Sequence, residues 1–314
     1  MLHQTGSART LGLVRIGVFA LWFWQVLSWD PAWYAELPRA LFGWPSVLRR
    51  VMPEAWTAWL LDGAALAGLR ALLLVGLGWS LLGLRPYRPI ALATCALLTI
   101  QEQILAGFTY IDPARILPLY AAYALAAFRC SADGMSVASP AAGGRGARYG
   151  TPLLVVAVAF SFCYAFVGAR RLAGTGGAVF FTDSLSHWMV VWSRQLPGPG
   201  LGVGDAVAQR PWLGAFANVA FAAVTLCEVL SPLCLVSRRF RRLWLAVIAL
   251  FQLMASATMH IFFWQNFLLM FVFMTDINRL TRRVAVWRRR RARSRGPALA
   301  RHRTADRRAC DIRR

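Results

Sequence analysis

The sequence predicts an all-α integral membrane protein, a bundle of about eight transmembrane helices. Three observations carry that expectation. Of 314 residues, 58% are hydrophobic and 15% are charged, whereas soluble domains run near about 25% charged. The mean hydropathy is +0.50. Apolar runs of roughly 18 residues or more, the length that crosses a hydrocarbon core of about 30 Å, recur along the chain.

The runs lie near 11–29, 64–84, 88–109, 114–130, 151–170, 212–236, 242–259 and 261–276. The last two are short and closely coupled. The first contains Arg15 and lacks a small-residue cleavage site before Trp29-Asp30, so it is expected to stay in the mature protein rather than leave as a signal peptide. The chain is expected to divide into a helix bundle over 1–276 and a basic tail over 277–314.

Arginine sets the orientation. Arg85 and Arg88, Arg145 and Arg148, Arg238, Arg239, Arg241 and Arg242, and the tail with its core RRVAVWRRRRARSR all fall on one side of an eight-span arrangement. The positive-inside rule makes that side cytoplasmic, so a multi-pass chain in the cell membrane with both termini cytoplasmic is expected. Segments 30–61 and 172–211 then lie outside, and the first of them carries Arg39, Arg49 and Arg50 against the rule. The net charge of +22 is accounted for by orientation and by attraction to membrane lipids, so no nucleic-acid partner is expected.

Segment 131–150 is small, Gly-rich and polar and is expected to be a flexible connector. In 172–211, the run from Phe180 to Trp192 could lie as an interfacial helix with its tryptophans among lipid headgroups.

All 35 basic residues are arginine. The lack of lysine excludes Schiff-base chemistry, a phosphate-loop lysine and a lysine general base, because a guanidinium is effectively never deprotonated. Six cysteines, Cys95, Cys130, Cys163, Cys227, Cys234 and Cys310, form no C-x-x-C pair and read as small hydrophobes. Cys227 and Cys234 would stand about 10.5 Å apart along one helix, too far for a disulfide. No metal site is expected, for want of clustered ligands.

Ionisable groups in hydrocarbon are costly and mark positions to weigh. Here they are Arg70, Glu102, Arg170, Arg171, Glu228 and His260. Glu228 sits well inside its run, either as a structural ion pair or as a site carboxylate. Glu102, in a polar patch near Asp112-Pro113, reads as a capping or solvent-facing group. His260 falls at the turn between the last two runs, where placement at the membrane interface is common.

The stretch Tyr164-Ala165-Phe166-Val167-Gly168-Ala169-Arg170-Arg171-Leu172, followed by Asp183-Ser184-Leu185-Ser186-His187-Trp188, resembles the vitamin K-dependent gamma-carboxylase family. More broadly it is similar to that family's bacterial relatives, which share the horizontally transferred transmembrane (HTTM) domain. In the carboxylases the first stretch reads Tyr, three apolar or small residues, Gly, a small apolar residue, two lysines and Leu. Two further blocks are similar: Leu226 to Val236 with Arg238-Arg239-Phe240-Arg241-Arg242, and Phe251-Gln252-Leu253-Met254, the latter like the family's Phe-His-Leu-Met. Ala132 to Val137 resembles an aspartate-and-serine connector, and Leu11 to Ile16 the opening helix.

The resemblance implies a quinone as the cofactor to consider, and Tyr164, Arg170, Arg171, His187, Glu228, Gln252 and His260 as the residues around a ligand. The departures count against carboxylation. Arg171 stands where the animal carboxylase has its basic lysine, Gln252 replaces a histidine, and no large substrate-binding domain is expected after the last run. Three functions compete: a membrane protein that binds a lipid-soluble or peptide ligand in its helix cavity, with an exported peptide or a partner protein as its partner; a quinone-dependent oxidoreductase, also distantly like the DoxX-like membrane proteins; and a transporter, for which the sequence shows no convincing internal repeat.

Overall fold

The computed structural model describes residues 5–45, 50, 52–109, 113–137, 145–182, 184–195, 203–259, 261 and 263–275. The expectations placed on His260, Cys310 and the arginine-rich tail lie outside them. Residues Met1–Thr275 form one compact unit.

The elements follow from local chemistry. A two-residue strand β1 (Gly6–Ser7) leads into α1 (Ala8–Leu27), where Ser7 caps the helix by accepting from the Thr10 amide at 3.1 Å, as a Ser N-cap does. Asp30 caps the short α2 (Pro31–Glu36), with Pro31 at its first position. After α3 (Glu54–Leu60), Asp62 caps α4 (Gly63–Leu82). That helix ends at Gly83 with φ +67°, and the amides of Gly83 and Leu84 return to the Trp79 carbonyl at 3.0 and 3.2 Å. A left-handed glycine is the usual solution at a helix C-terminus.

Then come α5 (Tyr87–Phe108), α6 (Pro113–Ala127), the strand β2 (Arg145–Gly146) and the long α7 (Ala147–Thr175). The strands β1 and β2 pair antiparallel, with Gly6 opposite Gly146. The C-terminal half comprises α8 (Ser184–Gln195), α9 (Val203–Gln209), α10 (Pro211–Val229), the single turn α11 (Leu233–Val236), α12 (Arg238–Met259) and α13 (Trp264–Met274).

Helix α1 packs on α4, α4 on α5, and α5 on α6, while α7 packs chiefly on α10 and α6 and carries the chain into the second half. Helix α13 closes against α6 and α7, where Phe160 and Phe273 meet at 5.8 Å between ring centroids. Phe19, Trp22, Leu66, Leu73, Phe160 and Trp244 are fully buried. By contrast Leu72, Val75, Phe162, Phe166, Phe216, Val219 and Leu250 face outward. Apolar outer faces on fully hydrogen-bonded helices are what a hydrocarbon environment requires.

Among the described residues, six helices are long and apolar enough to cross a membrane: α1, α4, α5, α7, α10 and α12. The other two expected spans, near 114–130 and 261–276, are the shorter α6 and α13, of 15 and 11 residues. At 1.5 Å per residue, α13 reaches about 16 Å, half of a hydrocarbon core.

The segment expected to be a flexible connector is partly packed. Ser131, Gly134 and Ser136 are buried, and the Ser136 hydroxyl donates to the Gly83 carbonyl at 2.6 Å. The run expected as an interfacial helix is helical from Ser184 to Gln195, with Trp188 and Trp192 stacked at 6.2 Å.

Candidate functional site

The motif stretch of α7 runs along α10. Near its centre, a Cβ on Gly168 would lie 2.9 Å from the Val229 backbone nitrogen and 3.0 Å from both Glu228 Cβ and the Thr225 carbonyl. Glycine therefore permits an approach that a larger residue would push apart. One turn further on, Arg171 Nη1 donates to Glu228 Oε2 at 2.6 Å and to the Thr225 hydroxyl at 2.9 Å. Its guanidinium also covers the Phe221 ring at 4.5 Å. Two turns back on α7, the Ser231 hydroxyl donates to the Ser161 carbonyl at 2.5 Å. Ser161, Gly168 and Arg171 thus face Ser231, Glu228 and Thr225 as an antiparallel seam. The side chain of Glu228 is 3% exposed and that of Arg171 22%, so the pair is largely withdrawn from solvent.

Tyr164 lies on the same helix and meets Trp244 of α12 edge-on at 5.1 Å. Gln252 is buried two turns along α12, on the face that also carries Trp244 and Ile248, and its Oε1 has no hydrogen-bond partner among the described residues. Arg170 and His187 are exposed. Among the expected site residues the structure joins Arg171 to Glu228, ties Tyr164 to the helix of Gln252, and leaves Arg170 and His187 on outward surfaces.

A second grouping went unsigned in the sequence. Where α1 ends, a cavity of about 420 Å³ is lined by Trp24, Gln25, Trp29, Trp33, Tyr34 and Trp264, together with Arg115 and Gln265. The volume suits a small ligand. Both amide atoms of Gln25 and the indole nitrogen of Trp29 are buried without a hydrogen-bond partner among the described residues. A neutral donor or acceptor left in that state costs about 1–3 kcal/mol.

The wall is ordered by its own aromatic contacts, with Trp33 edge-on to Tyr34 at 4.8 Å and Trp29 at 6.2 Å from the same ring. Arg115 is fixed by Glu102 at 3.0 Å. Burial raises the Tyr34 phenol above its ordinary value, opposed by the charge of Arg115 and reinforced by that of Glu102, so at neutral pH it retains its proton as a donor. Glu102 therefore serves as a partner for Arg115 rather than as a helix cap. The available signal in the sequence was Gln25, a primary amide between Trp24 and Val26 near the end of an apolar run.

Among the described residues no group of three or more His, Cys, Asp or Glu could hold a metal ion. Comparison with family models, with curated proteins and with solved structures gives no match to this chain.

Proposed function

We propose that the chain is an HTTM-like, multi-pass membrane protein without gamma-carboxylase activity, which binds a lipid-soluble or peptide ligand in the aromatic cavity at the end of α1. In this reading α6 and α13 complete eight membrane helices and both termini are cytoplasmic. The cavity then opens on the outer face, where an exported peptide or a lipid-soluble molecule would reach it.

The carrying observation is an aromatic cavity whose wall residues Gln25 and Trp29 hold three buried polar atoms, Gln25 Nε2, Gln25 Oε1 and Trp29 Nε1, without a hydrogen-bond partner among the described residues. They call for a ligand with adjacent donor and acceptor groups on a flat or apolar body. A peptide unit has that pattern, as does a reduced quinone ring, and tryptophan faces supply the apolar contact. The Arg171–Glu228 pair supports the absence of carboxylation: the residue at the family's lysine position is a permanent cation already bound to a carboxylate, and it cannot accept a proton.

The test uses the purified chain in lipid nanodiscs with a reduced naphthoquinone as probe. Saturable quenching of tryptophan emission without oxidation of the probe is expected, weakened by Gln25→Leu. Oxidation abolished by both Arg171→Ala and Glu228→Gln would instead make the chain a quinone-dependent oxidoreductase. Quenching unchanged by Gln25→Leu would remove the cavity as the binding site.

A further inference from the structure

At the opposite end of α4 lies a larger cavity, about 620 Å³, lined by Gly83, Arg85, Tyr87, Arg88, Arg129 and Asp133, among others. Its charge is one-sided. Asp133 is already engaged, with Arg148 Nη2 at 3.6 Å and the Tyr149 hydroxyl donating at 3.2 Å. Arg85, Arg88 and Arg129 have no acidic partner among the described residues. Behind the wall the guanidinium of the fully buried Arg15 stands 5.9 Å from the Tyr87 ring and is itself bonded to carbonyls rather than to an acid.

The cavity also meets the start of α5, whose N-cap is Pro86 and makes no side-chain cap. In its first turn the Tyr87 and Arg88 amides have no intrahelical acceptor, Pro89 carrying no N–H, and they add the positive end of a 22-residue helix dipole. Three arginines lining one cavity, an open helix start and a buried cation behind them make a site for a phosphate group.

The surroundings indicate what carries the phosphate. Leu72, Val75 and Leu82 are exposed along one stripe of α4 that ends at this cavity. Ten residues of helix rise about 15 Å, which matches one leaflet of hydrocarbon. We propose that this cavity binds the phosphate of an anionic phospholipid whose acyl chains lie along the exposed face of α4. The site is separate from the aromatic cavity and does not depend on what that cavity holds.

The test is native mass spectrometry of the full chain titrated with phosphatidylglycerol, phosphatidylcholine or inorganic phosphate. One phosphatidylglycerol per chain is expected to be retained in preference to phosphatidylcholine, with retention weakened about tenfold in the Arg85→Ala/Arg129→Ala chain. Both side chains are exposed, so folding should survive, and Arg85→Lys/Arg129→Lys should recover part of the loss. The tail variant Arg288→Ala/Arg289→Ala removes the same charge and should leave retention unchanged. Equal weakening in the tail variant would reduce the effect to general charge and overturn the proposal. Occupancy by inorganic phosphate with no preference among the lipids would overturn the lipid assignment in favour of a soluble phosphate.

Discussion

The bundle houses arginine in two ways, and the contrast between α1/α4 and α7/α10 shows what each achieves. In α1/α4 the arginines bind backbone. Arg15, 0% exposed, donates to the carbonyls of Leu81, Ser131 and Met135 at 3.3, 3.0 and 2.9 Å, while Arg70 donates to the Leu27 carbonyl at 2.7 Å. Each stands seven residues into its own helix and reaches the C-terminal carbonyls of the other, so two antiparallel helices cap one another. The partial negative charge at a helix C-terminus makes it a natural receptor for a cation. In α7/α10, Arg171 instead meets Glu228. The first arrangement retains an uncompensated positive charge beside a basic cavity; the second cancels charge at a close helix contact.

The sharpest way to break the comparison is Arg15→Met. It would remove three charge-assisted hydrogen bonds, each worth about 1.5–3 kcal/mol, leaving the buried Ser131 carbonyl and the half-buried Leu81 and Met135 carbonyls without that partner, and is expected to lower the thermal midpoint in nanodiscs more than any other single change considered. Arg15→Lys should rescue little, since one ammonium cannot span three acceptors as a planar fork does. A lysine variant as stable as the original would show that charge, not geometry, matters there. Arg70→Met, which frees one carbonyl in a more open setting, should cost less.

Next in size is Glu228→Leu, which leaves the cation of Arg171 largely buried and alone. Breaking a buried pair from one side costs about 3–5 kcal/mol. The double substitution Arg171→Leu/Glu228→Leu should recover most of that loss in the same thermal assay, because neither charge then needs compensation. A double variant no more stable than Glu228→Leu alone would mean that Arg171 contributes through Thr225 and the Phe221 ring rather than through the ion pair.

This contrast also explains how much was legible in the sequence. Glu228 stood out because an acid in the middle of an apolar run needs a partner, and a structural ion pair was one of its two open readings. Arg15 gave no comparable signal: its partners are backbone carbonyls more than 60 residues away, and carbonyls carry no sequence identity. The long helices were legible from composition, whereas the packing of Ser131 to Ser136 was not. Small polar residues read as a loop until a specific neighbour takes a hydrogen bond from one of them, as the Gly83 carbonyl does from Ser136. The aromatic cavity was hidden for the same reason, since four separate chain segments build it.

Gly168→Ala examines the α7/α10 contact by shape instead of charge. The added methyl would press on backbone at about 3 Å, where neither helix can move independently while Arg171 holds Glu228. Overpacking of this kind costs about 1–3 kcal/mol. Combined with the Arg171→Leu/Glu228→Leu pair, the penalty should shrink, as the helices are then free to separate. An undiminished penalty would assign the close approach to the Ser161–Ser231 end of the seam.

The smallest expected change is of opposite sign. Gln25→Leu replaces an amide with two unpartnered buried atoms by an apolar group of similar length, so the ligand-free protein should gain stability, by about 1 kcal/mol. The same change should weaken quenching by the naphthoquinone probe. Stability rising as binding falls is the pattern of a residue kept for a ligand rather than for the fold. A loss of stability in the ligand-free protein would show that Gln25 has a structural role, and the proposed function would lose its principal support.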